Sequence, residues 1–156
     1  MTSSPASPSA AARRKLLVLT LAMMGAVALF AAVSALVVPR GLPPVWAWAA
    51  LAAMVLLAVL MAQAATRSLG ALPAGAGESE AWDRVRAVHV FRLAMLEAPA
   101  VLGVFLGFLT GSWWLCLAAA ATSLLAIAAL ALPHAGLLRR YERVLNADGA
   151  AVRLTD

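Results

Sequence analysis

Glu97 is the residue of this chain best suited to chemistry. It is the only charged residue between Arg92 and Arg139, and it lies within an apolar segment. Placing an acidic side chain in lipid costs at least ~2.5 kcal/mol on insertion scales, so such residues are rare and mark functional sites. A carboxyl group at that depth can hydrogen-bond a neighbouring helix, or it can carry a proton or another cation. Glu97 is therefore the first candidate for an ion, proton or buried polar site.

Three further residues are predicted to share this site. Pro99 lacks the N–H that would bond the Met95 carbonyl, which loosens the helix one turn around the acid. Thr122 and Ser123 lie near the middle of the last apolar segment, at nearly the same predicted depth as Glu97, and a hydroxyl can donate across a helix interface. The sequence therefore predicts a polar site of Glu97, Pro99, Thr122 and Ser123, which either joins two helices or handles an ion.

A second polar layer is predicted nearer one end of the same segment. Arg92 lies about 140° round a helix from Glu97, so an ion pair between the two is poorly aimed. The long Arg92 side chain is instead expected to extend to the lipid headgroups. Thr20 and Gln63 are expected close to the level of Arg92. The polar residues thus fall into two layers at different depths.

Gly103, Gly107 and Gly111 recur at every fourth position after the acid. Small residues at this spacing lie on one side of a helix and let another helix backbone approach closely. The row therefore predicts a helix-packing face, used either within the bundle or between subunits.

Four apolar stretches must position these residues, at 16–38, 45–65, 87–109 and 113–132. Each is long enough to cross a hydrocarbon layer of about 30 Å, which takes roughly 20 helical residues. With 64% hydrophobic and 12% charged residues, the composition excludes a water-soluble fold. Backbone groups in lipid must bond within their own segment, so the sequence predicts an all-α integral membrane four-helix bundle made of two helical hairpins.

The basic residues flank these stretches on one side of the membrane, apart from Arg40 and Arg92. By the positive-inside rule, both termini and the central loop are predicted to be cytoplasmic. Four tryptophans support this orientation, because they fall at the opposite edge of the membrane, where indole rings prefer to lie: Trp46, Trp48, Trp113 and Trp114. Eleven arginines against one lysine are typical of a GC-rich bacterial genome. The predicted location is a bacterial cytoplasmic (inner) membrane.

The segments outside the spans are short. Residues 1–12 are predicted to be a disordered cytoplasmic tail, although the first span also resembles an overlong secretory signal whose cleavage would leave three spans. Residues 68–77 have the composition of a flexible linker, and Ser79 is predicted to cap the third helix. In 134–156, a short cytoplasmic amphipathic helix is predicted, followed by a frayed end. Its apolar face consists of Leu137, Leu138, Tyr141, Val144 and Leu145.

The run Glu97-Ala98-Pro99-Ala100-Val101-Leu102-Gly103 resembles the carboxylate segment of rotary-ATPase proteolipid (c-type) subunits, where a membrane Glu is followed by a nearby proline and by a glycine six positions on. The resemblance covers about 20 residues. It implies that Glu97 carries a proton or sodium ion. As a whole, the chain resembles small four-span bacterial inner-membrane proteins, which implies a class and no activity.

No set of residues points to an enzyme. His89 and His134 lack an acidic companion at their level, Ser123 has no histidine at its depth, and the single cysteine, Cys116, excludes an internal disulfide. No metal, cofactor or nucleic-acid partner is predicted, since topology accounts for the basic residues.

The sequence leaves three functions open. They are a non-enzymatic structural or interaction subunit that packs with itself or another membrane protein, a small transport or ion/proton-coupling subunit using Glu97, and an intramembrane enzyme.

Overall fold

The computed structural model describes residues 8–155, which form five α-helices. Their bounds are α1 Pro8–Val37, α2 Val45–Arg67, α3 Glu78–Thr110, α4 Trp113–Leu130 and α5 Ala135–Leu145. The first four are long and apolar enough to cross a membrane. The predicted all-α four-helix bundle is confirmed, and the chain is a multi-pass membrane protein.

Two helix starts differ from the prediction. α1 begins at Pro8, so residues 8–12 of the predicted tail are helical, whereas residues 1–7 lie outside the described part of the chain. Gly77 is the N-cap of α3, and no side chain of the described residues caps this helix, so the prediction that Ser79 caps it was wrong. Ser79 lies inside the first turn because the helix extends back to Glu78. α3 therefore projects beyond the apolar stretch by more than two turns.

The antiparallel pair α3 and α4 forms the centre of the bundle, because α4 packs closely along α3. α2 packs mainly against α3, and α1 packs mainly against α4. α1 and α2 hardly touch each other, so they lie on opposite sides of the central pair. Only the second of the two predicted hairpins is therefore a packed pair.

The loop between α1 and α2 crosses the tight turn between α3 and α4, which explains why the first hairpin is open. The Gly41 N–H donates to the Gly111 carbonyl at 2.9 Å, and the Trp113 N–H donates to the Pro39 carbonyl at 3.0 Å. A Cβ on Gly41 would lie 2.7 Å from the Gly111 oxygen, so only glycine allows this approach. We call this end of the bundle the turn end, and the opposite end, where α1 begins and α5 lies, the termini end.

An apolar cap closes the termini end. The predicted apolar face of α5 is confirmed, since Leu137, Leu138, Tyr141 and Leu145 are buried. These side chains pack with buried residues of α1, α3, the central loop and the last segment of the chain: Leu16, Leu69, Leu72, Ala81, Trp82, Val85, Ala150, Val152 and Leu154.

The predicted linker and the predicted frayed end are both part of this cap. Leu72 is fully buried, and its N–H donates to the Leu145 carbonyl at 2.8 Å. Asn146 pairs with both backbone groups of Val152, at 2.9 and 3.1 Å, and Leu154 is 1% exposed. Both predictions were wrong, because composition and position near a terminus do not reveal that a few apolar side chains find a common core.

Candidate functional site

Glu97 lies on the side of the bundle, in a groove between α1 and α3. Its half-buried side chain borders a cavity of about 220 Å³. The rest of the lining is apolar: Ala26, Val27, Phe30, Ala31, Ala100, Val101, Val104 and Ala120. Within residues 8–155, the carboxyl group has neither a hydrogen-bond nor an ion-pair partner. The acid therefore faces an apolar groove with its polar atoms unused.

The two hydroxyls predicted to pair with Glu97 bond elsewhere or remain unused. The Thr122 hydroxyl donates to the Ala118 carbonyl of its own helix. Ser123 is 1% exposed, and its hydroxyl has no partner within the described chain. Neither hydroxyl hydrogen-bonds Glu97, because that side chain points toward α1 rather than into the seam between α3 and α4. The predicted polar site thus consists of separate groups.

Pro99 is buried inside α3, and the helix runs through it without a break. Membrane helices tolerate proline because local adjustments and neighbouring helices satisfy the freed backbone groups. Pro99 neither lines the cavity beside Glu97 nor ends the helix. Its role in the structure is to pack within the bundle.

The glycine row lies inside the molecule. A Cβ on Gly103 would lie 2.1 Å from the Ala119 Cβ, and one on Gly107 would lie 2.4 Å from the Cys116 Sγ. These two glycines therefore let α4 approach α3. Gly111 has a different role, because it ends α3 in the left-handed conformation with a φ of 64°. Gly103 and Gly107 thus lie against α4 within the bundle. Since α4 covers both, they are not available to another subunit.

Arg92, predicted to extend to the headgroups, is instead 2% exposed. Its guanidinium donates to the Thr66 hydroxyl at 2.6 Å, to the Leu130 carbonyl, and at 3.4 Å to the Tyr141 hydroxyl. It also lies over the Tyr141 ring, 5.8 Å from the ring centroid. The prediction was wrong because α5 folds over this end of the bundle and supplies a ring and a hydroxyl that shield the cation from lipid and water.

Thr66 and Tyr141 are partners of Arg92 that are not evident from the sequence. The sequence gives a weak indication of Thr66, because its hydroxyl lies near the end of a span on the same side of the membrane as Arg92. Tyr141 was placed on the apolar face of α5, with no indication that its hydroxyl meets a cation. Burial raises the pKa of the Tyr141 hydroxyl above its ordinary value, although the nearby Arg92 acts in the opposite direction. Tyr141 therefore stays neutral at physiological pH.

His89 extends this polar cluster toward α1. Its Nε2 lies 2.9 Å from the Thr20 hydroxyl, and that hydroxyl donates its single proton to the Leu16 carbonyl at 2.8 Å. The Nε2–H must therefore be the donor to Thr20, which leaves Nδ1 buried without a partner in the described chain. His134 is exposed and bonds the Leu132 carbonyl. Within residues 8–155, no three histidine, cysteine or acidic side chains lie close enough to hold a metal ion.

A second, wide cleft lies between α1 and α3 at the termini end. Its volume is about 1280 Å³, and its charged lining comprises Arg14, Lys15, Glu78, Asp83 and Arg86. Arg86 and Glu97 are eleven residues apart, which is just over three helical turns or about 16 Å, so the cleft and the Glu97 cavity lie along one face of α3. The space between α1 and α3 is thus apolar around Glu97, whereas the separate cleft at the termini end has a charged lining.

Comparison of the chain with protein-family models, with curated proteins and with solved structures gave no match. The interpretation of the site therefore depends on its own geometry.

Proposed function

We propose that this protein is a non-enzymatic interaction subunit of the membrane, which binds a partner membrane helix in the groove between α1 and α3. The observation that carries the proposal is Glu97, an acid at the depth of lipid chains that faces sideways and has no partner within the described chain. An unpaired acid in contact with lipid is costly, and a donor side chain on a neighbouring helix would compensate for that cost.

The shape of the groove supports a helix as the ligand. Ala26, Ala31 and Ala100 line the cavity, and small side chains allow close approach of another helix. The glycines cannot serve this purpose, because α4 already covers Gly103 and Gly107. The interaction face that we propose is thus the Glu97 side of α3 and not the glycine side.

We place the protein in a bacterial inner membrane with both termini in the cytoplasm. The support is the distribution of charge and of aromatic rings. Arg13, Arg14 and Lys15 lie near the start of α1 at the termini end, whereas Trp46 and Trp113 lie at the turn end. Basic residues favour the cytoplasmic side, and indole rings favour the membrane surface. Reporter fusions at the C-terminus and within 39–44 test this orientation, and an active periplasmic reporter at the C-terminus would refute it.

Photo-crosslinking in native membranes tests the proposed interface. A photoreactive amino acid at Val101, beside Glu97, should give adducts with a membrane-spanning peptide that mass spectrometry can identify. Replacing Glu97 by leucine should reduce the yield about tenfold, since it removes one polar contact in lipid. Replacing it by glutamine should largely preserve the yield, because an amide still accepts a hydrogen bond.

The matched control places the photoreactive residue at Leu125, a side chain of α4 that is 72% exposed. Lipid adducts alone are expected there. If Val101 also gives only lipid adducts, or if the protein adduct persists in the Glu97→Leu variant, the proposed interface is wrong.

A second candidate is an ion- or proton-coupling subunit that uses Glu97. The observation that favours it is the cavity beside the acid, whose volume of about 220 Å³ exceeds the space that one water molecule needs. A separate charged cleft lies nearer the termini end on the same side of α3. A carrier must change its protonation state, so a hydrophobic carbodiimide should label Glu97 in a pH-dependent manner. Labelling that is absent or equal in the Glu97→Gln variant would exclude this function.

A further inference from the structure

Two polar side chains of the membrane helices face outward without a partner. Tryptophans apart, Gln63 and Glu97 are the only such residues in the apolar parts of α1 to α4 within residues 8–155. Gln63 is exposed on α2 and Glu97 is half-buried beside α1. An amide is a hydrogen-bond donor and a carboxyl group is an acceptor, so the two are chemically complementary.

The two side chains lie at nearly the same depth in the membrane. α2 and α3 run antiparallel, and the Arg92 guanidinium donates to the Thr66 hydroxyl at 2.6 Å. One turn away, Ala62 belongs to the same buried apolar cluster as Leu93 and Leu96. This register places Gln63 about two residues, or about 3 Å, from the level of Glu97. Both side chains are long enough to span that difference.

Gln63 and Glu97 cannot meet within one molecule, because α2 and α1 lie on opposite sides of the α3–α4 pair. We infer that the partner helix is α2 of a second copy of this chain, with the Gln63 amide of one copy donating to the Glu97 carboxyl group of the next. This inference rests on the proposed function and identifies its partner. Rotation of copies about the membrane normal preserves depth, so the pair stays aligned in any such assembly.

The apolar surroundings of the two residues also match. Leu60 and Leu56 are 55% and 61% exposed, and they lie one and two turns from Gln63 toward the turn end. In the same direction from Glu97, the cavity is lined by Val101 and Val104. The leucines of one copy therefore face the cavity of its neighbour. Because the two surfaces differ, repeated contacts close into a ring or continue as an open chain.

Energy transfer between labelled copies in liposomes measures the association as a function of the protein-to-lipid ratio. Replacing Gln63 by leucine should weaken association about tenfold, and Glu97→Leu should act similarly, because each leaves one polar group without its partner. The exchanged variant Gln63→Glu/Glu97→Gln restores one donor and one acceptor, so it should associate within about threefold of the unaltered chain. Association unchanged in Gln63→Leu, or no association of the unaltered chain at any ratio, would overturn the inference.

Disulfide trapping tests the geometry directly. In a Cys116→Ser background, copies carrying Leu60→Cys are mixed with differently tagged copies carrying Val101→Cys. A mixed dimer should form after mild oxidation, whereas Leu60→Cys copies alone should form none, because the contact joins unlike surfaces. The control pairs Val101→Cys with Leu125→Cys, which lies on exposed α4 surface. Equal trapping of the control pair would refute the arrangement.

The outcomes separate this inference from the proposed function. If the Val101 photo-adduct contains another polypeptide and still depends on Glu97, the groove binds a helix but self-association is wrong. If no protein adduct depends on Glu97, both fail together. If the adduct contains two copies of this chain, joined through α2, both are supported.

Discussion

Arg92 and Glu97 are five residues apart on α3, yet their surroundings are opposite. Arg92 is 2% exposed and bonds groups from three other helices, namely Thr66 of α2, Leu130 of α4 and Tyr141 of α5. Glu97 is half-buried and has no partner within residues 8–155. Groups of the same chain compensate for the desolvation of the Arg92 guanidinium, whereas the Glu97 carboxyl group faces a groove where another molecule can bind. The comparison separates a structural polar cluster from a candidate interface.

The Arg92 cluster contains no carboxylate. A backbone carbonyl, two hydroxyls and an aromatic face contact the cation, and the buried Arg92 Nε has no hydrogen-bond partner within residues 8–155. Hydrogen bonds to a charged group contribute about 1.5–3 kcal/mol each. These bonds tie the cap formed by α5 to the ends of α2, α3 and α4.

The largest loss of stability is expected from a substitution at the contact between α3 and α4. This contact fixes the position of α3, which carries both Arg92 and Glu97. Replacing Gly107 by leucine places side-chain atoms where the Cys116 Sγ now lies, so it should destabilise the fold by more than about 3 kcal/mol. Thermal unfolding of the purified protein in micelles measures the change. Gly25→Leu is the control, because no atom of residues 8–155 lies within 4 Å of a Cβ at that glycine. Similar unfolding of both variants would show that the seam does not require glycine.

A smaller loss is expected from Arg92→Met, which keeps an apolar stem but removes every hydrogen bond of the guanidinium. The Thr66 and Tyr141 hydroxyls and the Leu130 carbonyl lose their donor, so the free energy of unfolding should fall by about 2–3 kcal/mol. Denaturant titration in mixed micelles is the measurement. Arg86→Met serves as the control, since Arg86 is exposed. If the two variants unfold alike, Arg92 does not stabilise the cap.

Glu97→Leu should differ from Arg92→Met, because it should weaken association between copies and leave the stability of the monomer almost unchanged. The free energy of unfolding of the monomer should change by less than about 0.5 kcal/mol, because no intramolecular bond is lost. Association should nevertheless weaken by about 1.4 kcal/mol, the value of a tenfold change. Unfolding and energy transfer measured on the same preparation test both parts. If Glu97→Leu destabilises the monomer as much as Arg92→Met does, Glu97 is a structural residue like Arg92 and not part of an interface.

The smallest effect is expected at the rim of the cap. Glu142 accepts hydrogen bonds from the Leu154 and Thr155 N–H groups, so Glu142→Ala should release the last residues at a cost of about 1 kcal/mol. Hydrogen exchange of the amides in 150–155 should accelerate, while exchange in α3 should not. Glu80→Ala removes an exposed ion pair with Arg84 and provides the control. Unchanged protection of 150–155 would contradict this role for Glu142.

The main features of the fold were predictable from the chain, but the site was predictable only in part. Four spans, the apolar face of α5 and the close approach at Gly103 and Gly107 follow from hydrophobic length and spacing. The mutual position of Glu97, Thr122 and Ser123 did not follow. Depth can be counted along a helix, but the direction of a side chain depends on which helix packs against which face.

The sequence by itself determined that this is a membrane protein of four helices with one acid among apolar residues. Lipid imposes helices on any apolar segment of that length, so these conclusions need no tertiary contact. Only the tertiary structure decided that Arg92 is enclosed, that α4 covers the glycines, and that Glu97 and Gln63 face outward on different sides. Each of these depends on the order of the helices around the bundle, and that order is set by loop crossings and side-chain packing between residues distant in the chain.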